Sequence, residues 1–338
     1  MGSPGMNDRA AIAVLTGILS MAVHAQDAHF TQFYATPTHL NPAFAGTSVQ
    51  SRVGMIFRDQ WPSIPGKFVT YNLAFDHYLD QMNSGIGLIV MHDRAGSGAM
   101  RYTSITGQYA YEIELKRKVF IRPALQMSYV THAVDYSKLI FGDQLARGGE
   151  VATYENLDGR SVNYVDMGTG ALFYTPKAWL GVTLDHLNRP NQSLLARESI
   201  IPRKFSMHGG YRFNIRTAVI KDHKQSVVTA FNFRSQGKYD QLDLGMYYER
   251  EPIFAGIWYR GVPVLKAYER GYQNNDAIAL LFGVTVNDLR VGYSYDLTIS
   301  KLAGYTAGSH ELSLVYEMAD RRKKKALSKR RVIPCAKF

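Results

Sequence analysis

Residues 241–249 read QLDLGMYYE, and their side chains alternate between apolar and polar types. The even positions carry Leu, Leu, Met and Tyr, whereas the odd positions are mostly polar or Gly. The same period of two runs through LRVGYSYDL at 289–297 and ELSLVYEM at 311–318. Because successive side chains of a β-strand point to opposite faces, each segment predicts a strand with one apolar and one polar face.

On both sides of these segments the chain offers about fourteen candidate strands, an even number as in single-chain bacterial barrels. They are residues 49–58, 67–79, 85–93, 100–115, 119–134, 161–175, 178–187, 203–214, 225–235, 240–250, 254–261, 276–286, 289–298 and 310–319. Tight connections at 83–84, 116–118, 176–177, 251–252 and 287–288 largely alternate with long ones at 59–66, 135–160, 188–202, 262–275 and 299–309. Outer-membrane barrels join their strands in this way, with short periplasmic turns and longer outer loops, and only 215–224 fits poorly.

The composition suits a transmembrane antiparallel β-barrel whose apolar faces contact outer-membrane lipid. The chain has 22 Tyr, 16 Phe and 29 Gly, and no apolar run after residue 25 approaches the length of a membrane-spanning helix. A soluble sandwich or propeller is the competing architecture. It would have to explain the long strands, the missing repeat period and the many tyrosines on apolar faces, which aromatic belts at membrane interfaces explain directly.

The first 25 residues resemble a secretory signal peptide. Arg9 precedes an apolar run at 10–23 that is shorter than a membrane span, and a small-residue cleavage site precedes Gln26. The alternative is an anchor that stays in the inner membrane. We therefore divide the chain into a signal peptide at 1–25, an N-terminal segment at 26–48, a barrel at 49–319 and a basic tail at 320–338. Short periplasmic turns place both termini in the periplasm of a Gram-negative bacterium.

Most of the positive charge lies in the tail. The formal charge is +11, and residues 321–338 hold nine Lys or Arg and no acid, which leaves 11 − 9 = 2 for the rest of the chain. Two interpretations of the tail stay open. It is either a solvated extension or a docking segment for an acidic periplasmic partner or the cell-wall-linked part of a larger machinery, and the candidate docking residues are Arg321, Arg322 and Lys323. The secretory signal disfavours nucleic acid as a partner. The single Cys335 excludes an intramolecular disulfide and any multi-cysteine metal site.

A set of charged, amide and aromatic side chains falls at or near strand ends, mostly beside long connections. The candidates are Arg58, Gln60, Trp61, Asp93, Asp143, Trp258, Arg260, Asp296 and His310. We expect them to converge at the extracellular mouth. Arg58 and Arg260 are expected to form charge-assisted hydrogen bonds with one of the acids Asp93, Asp143 or Asp296. Two roles stay open for this mouth, namely closing the loops over the lumen or docking a partner.

The segment before the first strand is too apolar for a bare linker. Aromatic side chains alternate there with turn-forming residues, and the candidate plug residues are Phe33, Asn41, Pro42 and Phe44. We expect this segment to pack in the periplasmic opening of the barrel.

An enzymatic role finds little support in the sequence. His92-Asp93 and His310-Glu311 are adjacent pairs whose side chains point to opposite faces of a strand, so neither is a preorganised acid and base. No Gly-x-Ser-x-Gly elbow or His-Glu-x-x-His helix is present. A Ser nucleophile beside His208 or His186 stays open as an alternative. We predict no catalytic residue, metal or cofactor.

Several motifs, taken together and in order, resemble the PorP/SprF family of outer-membrane proteins of the type IX secretion system. They are QFYATP at 32–37, LNPAFAG at 40–46, RDQWP at 58–62, HDRAG at 92–96, LIFGDQ at 139–144, HGGY at 208–211, WYRG at 258–261, GYSYD at 292–296 and HE at 310–311. The ending CAKF at 335–338 resembles the family's usual Cys-Pro-Lys-Phe, with Ala336 in place of Pro. The resemblance spans nearly the whole mature chain.

The resemblance implies a non-enzymatic role in type IX secretion, in which the barrel supports export or cell-surface attachment of secreted proteins such as gliding adhesins. The implied partners are a secreted adhesin or other type IX cargo, together with periplasmic ring and lipoprotein components of the machinery. The strand pattern alone would equally serve a passive porin or small-molecule channel, which is the alternative function.

Overall fold

The alternating segments form long antiparallel strands. The computed structural model describes residues 27–48, 51–96, 100–148, 152–154, 161–194, 198–215, 225–262 and 274–318. The predicted signal peptide at 1–25 and the basic tail at 320–338, with Arg321, Arg322 and Lys323, lie outside the described residues.

Fourteen strands follow one another along the described part of the chain, as predicted. In order they are β1 Ser51–Gln60, β2 Phe68–Leu79, β3 Ser84–Ala95, β4 Met100–Tyr111 with its continuation Ile113–Lys116, β5 Val119–Val134, β6 Ser161–Tyr174, β7 Ala178–Asp185, β8 Lys204–Ile215, β9 Gln225–Gln236, β10 Tyr239–Arg250, β11 Ile253–Val262, β12 Asn274–Val286, β13 Leu289–Thr298 and β14 Ser309–Met318. The helical elements are short: α1 Pro37–Leu40, α2 Gly142–Ala146 and 3-10 turns at Pro42–Phe44, Asp80–Met82 and Tyr136–Lys138. None of the described helices is long and apolar enough to cross a membrane.

The sheet closes on itself. Each strand pairs with the next, and β1 pairs with β14 in a register that sets Ser51 opposite Met318 and Gln60 opposite Ser309. Closure leaves no strand edge unpaired, which is the condition for a sheet to sit in a bilayer. The connections 117–118, 251–252 and 287–288 lie at the end where β1 begins and β14 ends, here named the short-turn end. Residues 61–67, 186–203 and 299–308 connect strands at the opposite end, the long-loop end, where the tight turn 237–238 is an exception that the sequence did not indicate.

The apolar face of each diagnostic segment is the outer face. Leu244, Met246 and Leu312 are 43%, 50% and 51% exposed, whereas the neighbouring Asp243 and Glu311 are 4% and 1% exposed and face the lumen. A wall of apolar side chains outside and a polar wall inside is the arrangement of a transmembrane barrel. The buried core of this protein is therefore its lumen, and residues 27–48 occupy it.

Candidate functional site

Residues 27–48 form a segment inside the barrel, here named the plug. Nearly all of its side chains are buried, and its chain is compacted by α1 and the following 3-10 turn. Pro37 occupies the first turn of α1, and the side chain of Asn41 accepts a hydrogen bond from the Ala43 amide at 2.9 Å. Proline and asparagine favour such starts and turns because one fixes φ and the other satisfies a free amide. The plug thus folds locally as a stack of turns.

The beginning of the plug is held at the long-loop end. The Asp27 carboxylate lies 3.0 Å from His186 Nε2 and 2.6 Å from Lys204 Nζ. Burial alone would raise the pKa of Asp27. The Lys204 and His186 cations outweigh burial and hold the pKa of Asp27 well below its ordinary value. In turn the Asp27 charge and the hydrogen bonds that His186 donates to Asp166 and Asp27 outweigh burial and raise the pKa of His186 to about 10. Asp27 and His186 are therefore both charged at neutral pH, and they form an ion pair between the plug and a loop.

A buried charge cluster holds the plug near the long-loop ends of β1, β11, β13 and β14. Arg58 donates to Asp296 and to Glu311, each at 2.9 Å, and Arg260 donates to Asp296 at 3.0 Å. Glu311 accepts the plug's backbone amides of Thr31 at 2.9 Å and Gln32 at 2.6 Å.

The hydroxyl of Thr31 completes the cluster, since Arg58 and Arg260 donate to it at 3.1 Å and 2.9 Å and it donates to Asp296 at 2.8 Å. Each buried charge has an opposite charge and further hydrogen bonds, which is the condition under which buried ions are tolerated.

Aromatic packing fixes the plug beside this cluster. The Phe33 ring meets the Trp258 ring edge to face at 4.9 Å, and the Tyr34 ring meets Tyr247 and Phe254 at 5.6 Å and 5.9 Å. Such T-shaped pairs add about 0.5–1.5 kcal/mol each beyond the burial of their area.

On the opposite side of the lumen, Asn41 contacts the wall. Its side-chain amide donates to the Ala171 and Val182 carbonyls at 3.2 Å and 3.3 Å and lies 3.0 Å from His208 Nε2. The ring of Phe44 packs on the ring of His208 at 5.3 Å.

The end of the plug is held at the short-turn end by Arg122 and Asp76 of the wall. Arg122 donates to the carbonyls of Ala43 and Ala45 and pairs with Glu112 at 2.7 Å. Asp76 accepts the Gly46 amide at 3.0 Å and pairs with Arg52 at 2.8 Å. The plug is thus tied to the wall at both ends and in the middle.

Two wall glycines allow the plug to lie this close. A Cβ built on Gly54 would overlap the Ala35 carbonyl oxygen, and one built on Gly85 would overlap the Ala45 carbonyl oxygen. Glycine lets one backbone approach another where any side chain would intervene.

Four of the predicted mouth residues do converge near the long-loop ends of their strands, with their side chains turned into the lumen. Arg58, Arg260 and Asp296 form the buried charge cluster, and Trp258 packs on the plug. The expected pairing of arginine with Asp296 is therefore present. What these side chains contact is the plug, because they lie on the inward faces of β1, β11 and β13.

The remaining mouth candidates lie apart from this cluster or at its rim. Gln60 accepts from Arg58 at 3.4 Å, and the Trp61 ring packs on Phe68 at 5.7 Å. Of the three candidate acids, Asp296 is the partner of both arginines. Asp93 and Asp143 are occupied by neighbours in their own strand pair or loop, because Asp93 accepts from Thr70 and Asp143 from Arg147. His310 lies on the outer face, where its Nδ1 is 2.7 Å from the hydroxyl of Tyr293.

The plug candidates Phe33, Asn41, Pro42 and Phe44 are all buried in the lumen. The segment extends further than expected, because it runs from the long-loop end to the short-turn end rather than filling one opening. The sequence did not single out Glu311, Arg122 and Asp76 as anchors. These three anchors could have been found from the sequence. Once the apolar face of a strand is assigned to lipid, the period of two places its charged residues on the face towards the lumen.

The chemistry available in the lumen is that of ion pairing and hydrogen bonding. Among the described residues, no group of three His, Cys, Asp or Glu side chains is placed to hold a metal ion. The class of protein defined by this geometry is a transmembrane antiparallel β-barrel with a lumen filled by its own N-terminal segment.

The sequence matches the family described as type IX secretion system membrane protein PorP/SprF over residues 22–316. The chain belongs to this family, as its motifs indicated. Family and barrel architecture together support an outer-membrane location and a role in secretion.

Comparison with solved structures finds barrels of low identity. The Pseudomonas putida toluene transporter TodX is 9% identical, with a TM-score of 0.46 over 83% of this chain and 93% of that one. The CymD monoaromatic hydrocarbon channel is 12% identical, with a TM-score of 0.45 over 85% and 93%, and a mutant Rh. blastica porin is 8% identical, with a TM-score of 0.34 over 80% and 99%. Comparison with curated proteins gives no match.

Proposed function

We propose that this protein is a non-enzymatic outer-membrane component of type IX secretion that supports export or cell-surface attachment of secreted proteins such as adhesins. The observation that carries the proposal is the plug, which is tied to the wall by Lys204, by Arg58 with Glu311, and by Arg122. A barrel filled in this way offers a rigid surface for other proteins rather than an open path.

The pattern of short and long connections supports one orientation of the barrel in the membrane. With short turns in the periplasm, as in other outer-membrane barrels, the long-loop end faces the cell exterior and both termini face the periplasm. Cargo on the outside and the periplasmic ring and lipoprotein components on the inside would then meet opposite ends of one barrel.

The test is gentle detergent purification of the tagged protein from native outer membranes, followed by identification of the bound proteins. We expect an adhesin or other type IX cargo, or components of the machinery, to stay bound. A barrel recovered alone that also conducts ions in planar bilayers would refute the proposal and favour a passive channel, the rival function. A barrel that shows no conductance and retains type IX proteins would exclude that rival.

A further inference from the structure

A cavity of about 350 Å³ lies at the long-loop end between the plug and the wall formed by β8 to β12. On the plug side it is lined by His29 and Phe30, and on the wall side by inward residues of β9 and by the first residues of β10 and β12. Its volume falls within the range of about 300–1,000 Å³ that is usual for ligand pockets. The cavity lies beside the buried charge cluster but includes none of its residues.

One row of the wall carries polar atoms without partners. Asn232 Oδ1, Arg234 Nε and Gln236 Nε2 have no hydrogen-bond partner among the described residues, although Arg234 uses its Nη2 to bind Asp243 at 2.6 Å. Asn232 and Gln236 are 3% and 9% exposed. Across the cavity, the plug's His29 Nε2 is also without a partner in the described part of the chain. Buried polar atoms are nearly always satisfied in native proteins, so several around one cavity point to a ligand.

The spacing of this row indicates what kind of ligand fits. Asn232, Arg234 and Gln236 are alternate residues of β9, so they share its inner face and follow one another at about 6.8 Å, twice the rise of an antiparallel strand. In an extended peptide that lies beside β9, the N–H and C=O groups that face β9 also repeat every second residue, at about 6.8 Å. Gln236 and Arg234 would donate to its carbonyls, and the Asn232 oxygen would accept from an amide.

The charges of the lining indicate the side chains of that peptide. Four carboxylates line the cavity against two cations, which leaves 2 − 4 = −2 when histidine is neutral; these groups are Asp27, Asp185, Asp240, Asp276, Lys204 and Arg234. Asp276 lies at the rim of the cavity. Its side chain is 41% exposed, and its carboxylate lies 3.9 Å from Arg260. A Lys or Arg side chain beside Asp276 would add an opposite charge at this rim.

We propose that the cavity binds an extended peptide segment of a partner protein, which enters from the long-loop end with its backbone along β9 and a basic side chain near Asp276. The proposal deepens the proposed function and rests on it for the identity of the partner as exported cargo. The plug then has a second role, because it forms one wall of the binding site.

The test measures fluorescence polarisation of three labelled hexapeptides with the purified full-length protein in detergent. Serine alternates with lysine in the first peptide, with threonine in the second and with glutamate in the third. We expect the lysine peptide to bind most tightly and the glutamate peptide most weakly. The double variant Asn232→Leu, Gln236→Leu should weaken lysine-peptide binding at least 10-fold, and Asp276→Asn should remove the preference for lysine over threonine.

The matched control is Asn163→Leu, which removes an amide at the same end of the barrel but on an exposed position where Asn163 accepts from Thr131. It should leave peptide binding unchanged. Unheated electrophoresis reports whether each barrel is folded, and the single variant Gln236→Leu replaces the double variant if that one is not. Equal binding by the folded variant and the wild type, or no preference for lysine over glutamate, overturns the proposal.

Retention of native partners separates this proposal from the proposed function. If the wild type and the double variant retain type IX proteins equally and the peptides do not bind, the peptide site is wrong and the proposed function stands. If the lysine peptide binds as expected but no type IX protein is retained, the site stands and the proposed function is wrong.

Discussion

Glu311 is the side chain whose conservative replacement should loosen the plug most directly. Its carboxylate accepts the backbone amides of Thr31 and Gln32 and the Arg58 guanidinium, all at 2.6–2.9 Å and shielded from water. The variant Glu311→Gln keeps the shape of the side chain but offers one neutral acceptor oxygen in place of two anionic ones. At least one of the two plug amides is then left without its acceptor, and Arg58 keeps only Asp296 as a charged partner.

The expected cost follows from these contacts. One lost hydrogen bond to a charged group contributes about 1.5–3 kcal/mol, and a weakened buried ion pair adds to it, so the inserted plug should lose about 3 kcal/mol relative to the released one. Because a tenfold change in an equilibrium corresponds to about 1.4 kcal/mol, the released fraction should rise roughly 100-fold. A barrel of fourteen strands without its plug encloses a water-filled lumen, so release should appear as conductance.

The assay is single-channel recording in planar bilayers, with the open probability as the readout. The matched control is Asp59→Asn, since Asp59 neighbours Arg58 in β1 but pairs with Lys67, whose side chain is 46% exposed. Exposed pairs contribute about 0–1 kcal/mol, so this variant should behave as the wild type does. If Glu311→Gln is folded yet opens no more often than Asp59→Asn, the buried charge cluster does not retain the plug.

Three further outcomes are expected. Deleting residues 27–46 should open a steady conductance and lower the temperature of unfolding, and an unchanged, closed barrel would contradict the assignment of this segment as the plug. The variant Asp143→Ala should make the loop between β5 and β6 more sensitive to protease, because Asp143 accepts the Tyr154 amide at 2.9 Å and pairs with Arg147; unchanged digestion would argue against this organising role. The pKa of His186 is raised in the folded state, so its charge stabilises fully below about pH 6.5, less as the pH rises, and not at all above about pH 10. We expect the wild type to be more stable than His186→Ala at pH 6, and this difference should shrink towards pH 10 when both are followed by thermal unfolding. A constant difference would show that the Asp27 carboxylate does not favour the protonated form of His186.

The barrel could be predicted from the sequence because the alternation of apolar and polar side chains is a local property of each strand. Segments such as 241–249 and 289–297 display the period of two without reference to any neighbour, and they are strands with their apolar side outward. The tight turn 237–238 joins β9 to β10 through Gly237, whose φ is 61°, and it was missed because the long connections on either side of it predicted only long loops at that end.

The site was less predictable because partners on an inner wall are set by barrel geometry. Arg58 and Asp296 are far apart in sequence and lie on β1 and β13, which do not pair with each other, so their contact depends on where β14 places them. Asp93 and Asp143 were equally plausible partners by charge alone. Strand order brings Arg58 and Asp296 together, and the plug adds the Thr31 hydroxyl between them.

The polar inner wall determines what kind of element the plug is. An apolar core must stay buried, because exposing it to water costs free energy in proportion to its area. Arg122, Asp76 and Glu311 are instead groups that water solvates well, so the wall would not be driven to collapse if the plug left. Besides its aromatic packing on Trp258, the plug offers these groups carbonyls and amides in fixed positions, such as the Ala43 carbonyl to Arg122 at 3.0 Å. The contacts that hold the plug differ from the strand ladder that closes the wall, so retention of the plug and folding of the wall can be measured as separate quantities.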